Sequence, residues 1–81
     1  MQVEVLLFGA ERAAAGRDRA VVDLPSGRTC RDIRDGLAER IPSLRPHLTS
    51  ARFAVNGEFV PLDHGVSPTD EVALIGLVSG G

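Results

Sequence analysis

Met1-Gln2-Val3-Glu4-Val5-Leu6-Leu7-Phe8 opens the chain. Val3, Val5 and Leu7 fall on one face and Gln2 and Glu4 on the other, the period-two pattern of a strand with one buried side. From Leu6 onward the second face turns apolar as well, with Leu6 and Phe8 on it. Glu71-Val72-Ala73-Leu74-Ile75, near the other end, is the second strongly apolar strand pattern. The two most apolar strands belong together at the centre of a sheet.

Between them the elements follow one another without linkers, repeats or low-complexity segments. Ala10 to Ala15 is a brief alanine-rich helix that Gly16 terminates. Ala20 to Leu24 is a second strand, closed by the turn residues Pro25-Ser26-Gly27. Thr29 is an N-cap residue, with Asp32 in the first turn where a carboxylate suits the helix dipole. Cys30, Ile33, Leu37 and Ile41 then recur at helical spacing and form an apolar stripe. Gly36 beside that stripe weakens the helix by about 1 kcal/mol relative to alanine, which close approach to a sheet would explain. Pro42 and Pro46 end the helix and open an irregular stretch. Phe53 to Val55 and Phe59 to Leu62 flank Asn56-Gly57, a type I′ hairpin signal. Asp63 to Asp70 is a loop, and Glu71 to Ile75 the last strand. This order predicts an α+β fold of the β-grasp, ubiquitin-like kind: a mixed sheet with one main helix packed on one face.

The alternation also predicts what the uncovered face carries. With Val3, Val5, Leu7, Val72 and Leu74 turned to the helix, Leu6, Phe8, Ala73 and Ile75 face away. Phe8 and Ile75 then lie near each other on adjacent strands, joined by Phe59. A contiguous exposed apolar patch marks a partner surface. A one-residue slip in either strand would turn the set inward instead.

Eighty-one residues make one small domain with a thin core. A net charge of −2, without a cluster of basic residues, disfavours nucleic-acid binding. The apolar runs are too short for a membrane span, and the opening residues, which include Glu4, do not form a signal peptide. The lone Cys30 can form no internal disulfide, which suits a reducing cytoplasm.

The side chains offer little catalytic chemistry. His47 and His64 sit in expected loops without a partner at metal-ligand spacing. Cys30 lies on the apolar stripe, where a thiol is buried and inert rather than nucleophilic. Asp32, Asp35 and Glu39 alternate with Arg31, Arg34 and Arg40, a solvated helix face. Ser79 has no neighbouring base, and no glycine-rich phosphate loop is present, so any ATP chemistry belongs to another protein. Attention shifts to Ser79-Gly80-Gly81. Residues 76–81 form an expected flexible tail beyond a 1–75 body, with a reach of roughly 20 Å. Glycine at its tip can enter a narrow partner site where a Cβ would clash, and the terminal carboxylate can itself react. All nine basic residues are arginines, so an activated acyl group at Gly81 would meet no lysine amine. An arginine-favouring genome gives the same composition.

Val5-Leu6-Leu7-Phe8 followed by Arg12 and Gly16, Ala54-Val55-Asn56, Asp63-His64, Asp70-Glu71-Val72-Ala73 and the Gly80-Gly81 end, in this order and spacing, resemble the MoaD/ThiS family along the whole chain. The length resembles the MoaD branch, the small subunits of molybdopterin synthase. That resemblance implies a sulfur carrier that binds no cofactor itself. A MoeB-like, E1-type partner would use ATP to adenylate Gly81, sulfur would then give a thiocarboxylate, and Gly80 would provide clearance in a channel. A MoaE-like large subunit, in a heterotetramer, would receive the tail and pass sulfur to cyclic pyranopterin monophosphate. The family's docking patch corresponds to Phe8, Phe59 and Ile75, and Arg12 also matches, as an ion-pair partner or as a solvated residue. Family tails commonly carry Pro-Pro where this chain has Gly76-Leu77, which leaves the lead-in looser. Carriers serving thiazole, cysteine or another metabolite, and ubiquitin-like protein modifiers, share the fold and the Gly-Gly end. A plain binding module with an idle tail is the remaining alternative.

Overall fold

The computed structural model describes residues 1–25 and 28–76. Ser26 and Gly27 of the expected turn, and Ser79, Gly80 and Gly81 of the expected tail, lie outside the described residues.

Strand β1 (Gln2–Leu7) pairs antiparallel with β2 (Arg19–Asp23), and helix α1 (Gly9–Ala15) fills the connection between them. Helix α2 (Cys30–Arg40) follows, then a 3₁₀ turn (Pro42–Leu44) and the short helix α3 (Arg45–Leu48). Strands β3 (Arg52–Val55) and β4 (Glu58–Val60) form a hairpin, and β5 (Val72–Ile75) completes a five-stranded sheet in the order β2-β1-β5-β3-β4. β5 runs parallel to β1 and antiparallel to β3. The two strands that read as most apolar are therefore neighbours inside the sheet. A parallel pair needs a long crossover, and the chain containing α2 supplies it across one face. The arrangement is the β-grasp.

The core forms where the alternation of β1 meets the stripe of α2. Val3, Val5, Leu7, Val72, Leu74, Phe53 and Val55 are buried on the sheet, against Cys30, Ile33, Leu37 and Ile41. The N-terminus of α2 carries a capping box: the Asp32 amide donates to Thr29 Oγ1 at 3.3 Å, and the Thr29 amide donates back to Asp32 Oδ2 at 3.0 Å. Gly36 has the role its position suggests. A Cβ there would run into Cγ1 of the buried Val22, so glycine lets α2 approach β2.

The segment after α2 differs from the irregular stretch expected. Pro42 and Pro46 each stand at the start of a helical turn, where a missing N–H leaves no hydrogen bond unmade. The two turns bury Leu44 and Leu48 against the core. Asn56 and Gly57 hold the hairpin with positive φ values of 53° and 85°, as a type I′ turn requires. β4 stops at Val60 rather than Leu62, because Pro61 has no amide to donate to the ladder.

Candidate functional site

The face of the sheet away from α2 is built by register. Leu6 lies opposite Ala73, Ala73 opposite Ala54, and Ala54 opposite Phe59, one row of side chains across four strands. In the next row Ile75 lies opposite Arg52. Phe8 is past the last paired residue of β1, yet it keeps an extended backbone (φ −133°, ψ 159°) as the N-cap residue of α1. The alternation therefore passes on to it, and the parallel register carries it alongside Ile75. Phe8 is 48% exposed and Phe59 59% exposed, while Ile75 is half-buried.

Ala54 and Ala73 sit on this open face but are buried, because their methyl groups lie beneath the larger flanking side chains. The result is a shallow apolar trough with Leu6 and Phe8 along one wall and Phe59 along the other. Three strand spacings separate those walls, about 14 Å. Phe8 and Phe59 thus flank Ile75 rather than touching each other.

Two residues absent from the expected patch share this face with it. Val21 is 44% exposed on β2, and the buried Ala20 and Val22 on either side put it on the open face. Its outward position was legible in the same alternation. The guanidinium carbon of Arg52 lies 5.9 Å from the Phe59 ring centroid, within cation–π range. That pairing depends on the β3–β4 and β3–β5 registers and has no local signature. Arg19 and Glu4 form an exposed ion pair of 3.2 Å on the β1–β2 side. Apolar surface is thus rimmed by charge, the usual anatomy of a protein-binding face. Arg12 is exposed on α1, one turn beyond Phe8, and makes no ion pair among the described residues.

The motif residues around the hairpin have a structural task. The Asn56 side chain accepts from the Glu71 amide at 3.0 Å and donates to Asp70 Oδ1 at 3.0 Å. The Asn56 amide donates to the Glu71 carbonyl at 2.8 Å. Asn56, Asp70 and Glu71 so lock the hairpin turn to the start of β5 and set the register that presents Ile75. The Ser67 amide and then the Asn56 side chain hold the Asp70 carboxyl below its ordinary value. Asp63-His64 belongs to the loop that braces α2: the Cys30 amide donates to the His64 carbonyl, and the Arg31 amide to that of Leu62.

The remaining polar residues are spent or solvated. Thr29, through its amide and then its hydroxyl, holds the Asp32 carboxyl below its usual range. Asp35 and Glu39 face solvent. Cys30 is wholly buried, and burial pushes its thiol above the ordinary value. Among the described residues no three His, Cys, Asp or Glu side chains are grouped to hold a metal ion, and no helix is long and apolar enough to cross a membrane. One ionisable residue breaks the pattern. Glu11 of α1 is buried, with its carboxylate beside Gly76, the first residue past β5. The alanine-rich helix gave no hint of which face it would bury.

Comparison with known proteins agrees with the fold. The profile of the ThiS family matches residues 5–81. The molybdopterin synthase sulfur carrier subunit of Mycobacterium tuberculosis is 37% identical, over all of this chain and 99% of its own. The protein of the same name in Arabidopsis thaliana is 32% identical, over all of this chain and 84% of its own. Among solved structures, SAMP1 of Haloferax volcanii, a small archaeal modifier protein, superposes with a TM-score of 0.87 at 28% identity, covering both chains completely. With a family profile that spans nearly every residue and relatives aligned over the whole of this chain, the chain belongs to the ThiS family.

Proposed function

We propose that this protein is the sulfur carrier subunit of a molybdopterin synthase. The observation that carries the reading is the exit of β5 at Gly76, beside an exposed apolar face rimmed by Phe8 and Phe59. Relatives aligned over the whole chain carry that name. Chemistry is then assigned to the terminal carboxylate of Gly81. An E1-like partner condenses it with ATP, releasing pyrophosphate and forming an acyl adenylate. A sulfur donor displaces AMP and leaves a thiocarboxylate. Gly80 lets the tip thread a narrow channel, since neither terminal residue has a Cβ to clash.

The open face docks the large subunit through Phe8, Ile75 and Phe59, and Arg12 lies on the adjoining surface. Docking there directs the tail into the large subunit, where the thiocarboxylate sulfur passes to the pterin precursor and water regenerates the carboxylate. The absence of lysine suits an activated acyl group, because the guanidinium stays protonated and is a poor acceptor. A heterotetramer with the large subunit and a cytoplasmic location complete the reading.

The test is the intact mass after incubation with the E1-like enzyme, ATP and a sulfur donor. One oxygen-to-sulfur exchange on the C-terminal residue is expected, and its loss when Gly81 is deleted. No exchange with demonstrably active partner enzymes would overturn the proposal. Likeness to an archaeal modifier protein favours a second reading, in which Gly81 is joined to lysines of other proteins. Isopeptide-linked conjugates in cell extracts separate that reading from sulfur delivery.

A further inference from the structure

Glu11 is 3% exposed, the one charged residue buried among the described residues. Burying a carboxylate is unfavourable unless neighbours compensate it, and nothing in the packing of α1 requires an acid there. Two neighbours give it a role. From α3, His47 Nδ1 lies 3.9 Å from Glu11 Oε1. From the end of β5, Gly76 lies so close that a Cβ built on it would be 2.7 Å from the Glu11 carboxyl carbon, and nearer still to both oxygens. The carboxylate occupies the space that any other residue at position 76 would fill with its own side chain.

We infer that Glu11, backed by His47, is a positioning residue for the C-terminal tail, acting through Gly76. Glycine at the end of a strand has the widest choice of backbone angles, so by itself it would leave the direction of the following chain unspecified. The wedged carboxylate removes part of that freedom and presents hydrogen-bond acceptors where the chain leaves the sheet. A tail launched in a restricted direction loses less conformational entropy on entering a partner site. The inference rests on the reading that the tail carries the chemistry, and it adds a residue from a different element to that function.

The experiment combines E11Q, E11A and G76A with the double variant E11A/G76A. In the isolated chain, ¹⁵N relaxation of the amides of residues 77–79 reads the tail directly. Faster local motion is expected in E11A. A smaller increase, with the fold and melting temperature retained, is expected in the isosteric E11Q, which keeps the volume but exchanges one acceptor oxygen for a donor. With the E1-like enzyme, pyrophosphate exchange against carrier concentration gives kcat and KM. Misdirecting a reacting group by about 1 Å lowers a rate by up to roughly a hundredfold. E11A and G76A are therefore each expected to lower kcat by about tenfold or more. KM should stay within about twofold, because the docking face is untouched. In the double variant the alanine methyl fills the space the carboxylate vacated, so kcat should recover toward the parent value.

Unchanged relaxation at 77–79 in both Glu11 variants would overturn the inference, as would strictly additive losses in the double variant. If the parent chain supports no exchange, the sulfur-carrier reading fails, and the relaxation data still decide the role of Glu11.

Discussion

The two faces of the sheet are made from the same strands and do opposite work. Toward α2, Val3, Val5, Leu7, Val72 and Leu74 are almost completely buried. Toward solvent, Leu6, Phe8, Ile75 and Phe59 offer apolar surface that the fold leaves uncovered, over a floor of Ala54 and Ala73. Removing a residue from the first face leaves a cavity. Removing one from the second leaves the chain folded and alters only what can bind. Stability and recognition are thus separated by a single-residue step along each strand, which is why a slipped register would damage both.

The sharpest way to break this comparison is to shorten a covered residue. Leu7→Ala should destabilise the domain by about 3–4 kcal/mol, read as the shift in urea midpoint, because a thin core cannot relax around the loss. A change below about 1 kcal/mol would mean the covered face is less tightly packed than its burial implies.

On the open face, Phe59→Ala should leave the urea midpoint within about 0.5 kcal/mol of the parent. It should weaken binding to a large-subunit partner by roughly 2 kcal/mol, close to thirtyfold, if the ring is a docking anchor. Calorimetric titration of that partner measures it, and a loss of stability without a loss of affinity would reverse the assignment of the two faces.

Gly36→Ala probes the join between α2 and the covered face. Alanine favours the helix by about 1 kcal/mol, but its methyl would collide with the buried Val22 side chain. Overpacking of this kind costs about 1–3 kcal/mol, so net destabilisation of up to about 2 kcal/mol is expected. A stabilised variant would show that α2 can lift away from β2 freely. Thr29→Ala should cost a little less, about 1 kcal/mol, through loss of the cap, and thermal unfolding would register it.

The smallest effect is acid sensitivity. Asp32 and Asp70 both have folded-state values held below the ordinary 3.8 by hydrogen bonds. The unfolded chain then binds those protons more readily than the folded one. The stability they contribute is complete above the unfolded value and is lost as pH falls through the folded one. Urea midpoints at neutral pH and in the acid range should therefore converge for D32N/D70N and the parent as pH drops. A constant difference across the range would remove both carboxylates from the account.

Much of this organisation was legible before any coordinates. The β1 alternation, the stripe from Cys30 to Ile41, the Thr29 cap and the Asn56-Gly57 turn each rest on interactions within a few residues, where local spacing is informative. Val21 could have been added to the exposed set by the same alternation. The two turns at Pro42 and Pro46 were missed because a proline both ends one helix and starts the next, and only the burial of Leu44 and Leu48 decides between those roles.

The sequence by itself determined the order of the strands and of the two longer helices, the pairing of the two apolar strands, the apolar face and the family, because period-two and helical repeats and turn residues act over short distances. Only the tertiary structure decided that the apolar face is a trough with separated walls, that Arg52 lies over Phe59, and that Glu11 fills the missing side chain of Gly76. Glu11 and Gly76, like the two trough walls, are far apart in the chain, and register and packing, which no local pattern records, bring them together.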